Sequence, residues 1–109
     1  MITSFAIKPS DYRDAYCGNF ASVRTVRYCD AQSKSFISST NNFTIVISKS
    51  SADSMLNIEM QEGVFVTKLR NSKFFDQRMH LFGRFVNDSV YIDFTPGMGP
   101  NSSRYIGKK

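Results

Sequence analysis

"LFGRFVNDSVYIDF", residues 81–94, holds two apolar runs on either side of Asn87-Asp88-Ser89. In the second run Val90, Ile92 and Phe94 alternate with Tyr91, Asp93 and Thr95. A period of two sends one set of side chains to a buried face and the other to solvent, as in a strand with one face on a core. The intervening turn is too short for a crossover, so the two strands must be antiparallel neighbours. "IVISKSSADSMLNIEM", residues 45–60, repeats the form. Phe43, Ile45 and Ile47 alternate with Thr44, Val46 and Ser48; past the turn at 49–52, Leu56, Ile58 and Met60 alternate with Asn57 and Glu59. Both hairpins place Asp-Ser at the head of the returning strand, at Asp53-Ser54 and Asp88-Ser89. Those side chains are expected to accept bonds from turn amides that the ladder has not yet paired.

Working outward, further strands are expected at about 18–29, 63–69, 77–86 and 103–108. That makes seven, and in a simple meander the first and seventh run parallel. Antiparallel closure calls for an eighth, for which "KSFIS", residues 34–38, is the remaining candidate. The fold class read from this pattern is all-β: an antiparallel up-and-down meander of seven or eight strands closing into a small barrel. The chain of 109 residues has room for a single domain, 1–109, with one core. Ten Phe and five Tyr with no Trp suit strands, where flat rings pack across neighbours. One short helical piece is expected in "PSDYRDAY", residues 9–16, capped by Ser10 or Asp11 and covering one end of the sheet, with Tyr12 and Tyr16 on one face.

The closing stretch "TPGMGPNSSRYIGKK", residues 95–109, looks at first like a phosphate cradle. It lacks the Gly-Lys pair of a P-loop, Ser102 stands where a dinucleotide fingerprint needs its third glycine, and Pro100 removes an N–H. It reads instead as a long hairpin connection, with Pro96-Gly97 at the centre of a type II turn. "SSRYIGKK" is then the closing strand, with Tyr105 or Ile106 facing the core and Lys108 and Lys109 contributing only terminal charge.

Catalytic parts are scarce. His80 is the single histidine and glutamate occurs only at 59 and 62. Cys17 and Cys29 form no CxxC pair and leave no Cys/His zinc set. On one extended strand they would lie roughly 40 Å apart, too far for a disulfide, and both read as small packing residues. The sequence therefore points to a non-enzymatic protein with no metal or cofactor. "MITSFAIKPSD" has no long apolar stretch and is interrupted by Lys8 and Pro9, so it does not read as a signal peptide, and no later run suits a membrane span. Either the chain is cytoplasmic or a leader has been removed before Met1.

The net charge of +5 allows an acidic partner. "KLRNSKFFDQR", residues 68–78, has the composition to meet one. It combines Lys68, Arg70, Lys73 and Arg78 with Phe74 and Phe75. Cations beside rings are what single-stranded nucleic acid binders use for phosphate contact and base stacking. Neighbouring phenylalanines on a strand face opposite sides, which leaves one of them for solvent. A basic barrel of the OB type using residues 68–78 is one reading of function.

A second reading comes from resemblance. "DAYCGNFASV", residues 14–23, resembles the opening of a lipocalin-like barrel, in which a short helix runs into Gly-x-Trp on the first strand. Here Gly18-Asn19-Phe20 follows the helical piece, with Phe in place of Trp. Small lipocalin-like envelope domains of the Bacteroidetes type are similar along nearly the whole chain, down to the ending Tyr105-Ile106-Gly107-Lys108-Lys109. The resemblance implies a calycin-type barrel, an arginine at Arg104 set over the Phe20 ring, and a place in the periplasm or cell envelope. It also implies a role in binding a small apolar ligand or an envelope protein.

Overall fold

The computed structural model describes residues 11–29, 32, 34–96 and 101–109. Eight antiparallel strands follow one another around a closed barrel: β1 (Gly18–Cys29), β2 (Phe36–Lys49), β3 (Met55–Met60), β4 (Gly63–Arg70), β5 (Lys73–Asp76), β6 (Leu81–Val86), β7 (Ser89–Phe94) and β8 (Ser102–Lys108). β8 pairs antiparallel with both β7 and β1 and so closes the sheet on itself. An even number of strands makes this closure antiparallel, and a closed sheet has no edge along its paired length.

The eighth strand is not residues 34–38. Phe36–Ser38 begin the long β2, paired with Arg27–Cys29 of β1, and the additional strand is β5, Lys73–Asp76, in the stretch between the strands expected at 63–69 and 77–86. Residues 77–80 turn instead: Asp76 Oδ1 accepts the Leu81 amide at 2.9 Å, and Met79 adopts φ 61°. The Asp-Ser pairs do not cap their turns as expected. Among the described residues no turn amide donates to Asp53, Ser54, Asp88 or Ser89 side chains; backbone shape does the work, with Ser54 at φ 65° and Asn87 at φ 53°. The type II turn at 96–97 and a cap from Ser10 lie outside the described residues.

The inward faces are those that alternation marks. Ile45, Ile47, Leu56, Ile58, Met60, Val90, Ile92 and Phe94 are buried, joined by Phe20, Leu69, Phe74, Leu81, Phe85 and Tyr105. Tyr105 rather than Ile106 faces inward. Phe74 lies over Gly83, its cross-strand partner, and a Cβ at Gly83 would stand 1.9 Å from the Phe74 ring. These fourteen residues form one core cluster inside the eight-stranded barrel.

Each end is closed by a polar clamp. At one end the helical piece is a 3-10 turn, Tyr12–Tyr16, capped by Asp11, whose side chain accepts from the Arg13 amide. With three residues per turn, Arg13 and Tyr16 share the inward face, whereas Tyr12 points away and is 56% exposed. Tyr12 and Tyr16 therefore do not share a face. Tyr16 packs on Phe85 at 4.6 Å between ring centroids. The buried Arg13 donates to the carbonyls of Ser50, Ala52 and Met55, each at 3.0 Å, and pairs with Asp11. Hydrogen bonds from the Arg13 guanidinium and from the Arg13 main-chain amide hold the Asp11 carboxyl down at about 2. At the other end Arg24 pairs with Glu62 at 2.8 Å, and Tyr105 donates its hydroxyl to the second Glu62 oxygen.

The arginine implied by the resemblance is elsewhere. Arg104 points outward and pairs with Asp93 at 2.8 Å. The cation over the Phe20 ring is Lys109, with Nζ 5.5 Å from the centroid and donating to the Ala15 carbonyl at 3.0 Å. Lys109 is thus a clamp between the last strand and the 3-10 turn, more than a terminal charge. Gly18, at φ 141°, gives the chain the left-handed bend that takes it from the turn into β1.

Candidate functional site

β4, β5 and β6 carry the sequence-predicted residues, and register decides how these meet. On the outer face Arg70 stands opposite Lys73, and Lys73 opposite Arg84. The next row runs Lys68, Phe75, Phe82 across the same three strands. Directly opposed side chains on one face have Cβ atoms about 4.5–5.5 Å apart. The first row therefore gathers three cations side by side, with Tyr91 next in line on β7. The second row sets a pair of rings beside them, with Phe75 and Phe82 centroids 6.4 Å apart.

Together these rows line an open cleft of about 460 Å³, bounded by Arg70, Lys73, Phe75, Phe82, Arg84 and Tyr91, with Met79 at one rim. The Arg84 guanidinium lies 4.9 Å from the Tyr91 ring centroid, a cation–π contact that holds it along the cleft. Asp93, the acidic group at the far wall, is already paired to Arg104. Among the described residues Lys68, Arg70, Lys73 and Arg84 form no ion pair with the protein's own carboxylates. Two unit charges about 6 Å apart in water repel by roughly 0.7 kcal/mol, so each opposed pair is a small cost to the fold. The same field concentrates on any anion that enters the cleft.

Two of the sequence-predicted residues lie apart from this arrangement. Phe74 is fully buried in the core, the inward member of the Phe74-Phe75 pair. Arg78 sits in the turn after β5 and borders a different hollow with Val64, Phe65 and His80. Conversely Phe82, Arg84 and Tyr91 belong to the cleft and lie outside residues 68–78. Their signal is the alternation of β6 and β7 combined with register, and register needs the turn positions on both sides of β5. An apolar strip continues from the rings, through the half-exposed Met79 and Val66.

Neither a protein-family model, nor a curated protein, nor a solved structure matches this chain.

Elsewhere the reactive groups are held quiet. Burial pushes the Cys17 thiol up, with Asp14 adding to it, so it stays protonated at neutral pH. Cys17 packs against the core as a small apolar group, but Cys29 is exposed at the end of β1 and packs on nothing comparable. Burial alone would raise Glu62, yet hydrogen bonds from Ser103, Tyr105 and Arg24 outweigh it and hold the carboxyl below its usual range. Tyr105 moves up, through burial and its bond to Glu62. A carboxylate kept ionised beside a phenol kept neutral is a stable clamp and a poor acid–base pair. His80 lies just before β6, half-buried, and among the described residues no three His, Cys, Asp or Glu side chains converge as a metal would need.

Proposed function

We propose that this barrel is a non-enzymatic binding domain that takes single-stranded nucleic acid across the outer face of β4–β7. The observation that carries the reading is the row Arg70, Lys73, Arg84, three cations opposed in register without carboxylate partners among the described residues, alongside Phe75, Phe82 and Tyr91. Phosphates fit the cation row and unstacked bases fit the rings two residues along each strand. Titration of a fluorescently labelled single-stranded oligonucleotide tests it. Three phosphate contacts should give a log–log salt slope of about −2. Lys73→Ala and Arg70→Ala should each flatten that slope, whereas Phe82→Ala should weaken binding with little change in slope. No anisotropy change at low salt, or variants indistinguishable from the parent, would rule the reading out.

The second proposal is the lipocalin-like one, an envelope domain for a small apolar ligand. It is supported by the 3-10 turn leading into Gly18-Asn19-Phe20 and by a cation over that ring. Because the core cluster occupies the inside of the barrel, the ligand's place is the outer strip of Phe75, Phe82, Met79 and Val66.

A further inference from the structure

The β1–β2 ribbon outruns the strands beside it. β8 covers β1 from Ala21 to Arg27, but β3 covers β2 only from Val46 to Lys49. Along residues 36–45, among the described residues, β2 has β1 on one side and no strand on the other. Native sheets blunt such edges with charged side chains, proline or bulges. This one, "FISSTNNFTI", contains no charge and no proline, and its twelve pairs with β1 run without a break in register. Its side chains from Phe36 to Asn42 are exposed, with Phe36 at 53%.

We propose that this edge is an interface and that its occupant is the same edge of a second copy of this chain. The two β2 strands would pair antiparallel about a two-fold axis passing near Thr40. Such an axis sets residues of the same face opposite one another. Ile37 then meets Phe43, Ser39 meets Asn41 and Ser38 meets Asn42, like with like, while Phe36 lies opposite Thr44 at the ends of the seam. Two cations border this edge: Arg27, with its guanidinium 4.3 Å from the Phe36 ring centroid, and Arg24, which donates to Asn41 and pairs with Glu62. Both are already seated on the chain itself, so the match of the edge to its own sequence is what selects a second copy. The cation row lies on β4–β6, two to four strands from β2 around the eight-stranded barrel. Pairing through β2 therefore leaves that row outside the seam.

Sedimentation equilibrium and amide hydrogen exchange on the full chain test this. The expected result is a concentration-dependent monomer–dimer equilibrium, with exchange protection in residues 36–44 that falls on dilution. Thr40→Lys places like charges together at the axis and should weaken association by about tenfold or more, while the melting temperature of the monomer, read at a concentration too low for dimer, stays unchanged because Thr40 is exposed. Ser38→Lys, also exposed, provides an independent variant. A monomer at the highest concentration overturns the proposal. So does a dimer that both lysine variants leave intact, since its interface must lie elsewhere.

Discussion

Gly83 shows how one residue fixes both faces of the sheet at once. Its missing side chain is the space into which Phe74 fits, and Phe74 inward is what leaves Phe75 outward beside Phe82. Gly83→Ala should cost about 3 kcal/mol, because a rigid strand and a buried ring have no easy retreat. Urea denaturation measures this, and a parent-like midpoint would contradict the packing. Glu62 sets the acid response. Its folded-state carboxyl lies below the ordinary 4.5, so its contribution is present above that pH and is lost as pH falls through the folded value. Asp11, held at about 2, acts in the same direction below 3.8. Glu62→Gln leaves the Arg24 guanidinium without its carboxylate and should cost about 3 kcal/mol at pH 7. The gap to the parent should narrow as the pH is lowered below 4.5, read from denaturation midpoints at the two pH values.

Among the elements, β8 closes the barrel although its sequence resembles a disposable basic tail. It pairs on both sides and buries Tyr105 completely. Removing residues 103–109 takes away several hydrogen bonds at about 1 kcal/mol each and a buried ring at roughly 1.5–3 kcal/mol. That total is comparable to the ~5–15 kcal/mol stability of a small domain, so the truncated chain should unfold or aggregate. Deleting Lys108 and Lys109 alone should be milder but still lower the melting temperature. Lys109 donates its amide to the Asp88 carbonyl at 2.9 Å and its ammonium to Ala15, so its loss loosens the 3-10 turn. Thermal melts of the two truncations, ranked against the parent, check this order.

At the scale of the whole molecule, the core cluster occupies the inside of the barrel and the basic-aromatic cleft lies on its outer face. The barrel has one core, clamped by Arg13 at one end and by Arg24, Glu62 and Tyr105 at the other. An environment-sensitive apolar dye should therefore bind on the Phe75–Phe82 strip and be displaced by single-stranded oligonucleotide, because both use the same rings. Phe82→Ala should remove the dye signal. Saturable dye binding that neither the oligonucleotide nor Phe82→Ala affects would place the ligand elsewhere.

The sequence by itself determined the strand class and the inward residues of β2, β3 and β7, since period-two alternation needs no knowledge of neighbours. It also showed the antiparallel order, because turns this short leave no room for crossovers. Half of the residues that bound the cleft were legible, as Arg70, Lys73 and Phe75. What it could not supply was the short β5, four residues with no room for an alternation to declare itself, and with it the eighth strand and the true partner of Phe74. The rest was decided in three dimensions. Arg84, Phe82 and Tyr91 reach the cleft through register across strands, and Lys109 takes the place over Phe20 because closure of the sheet sets β8 beside β1.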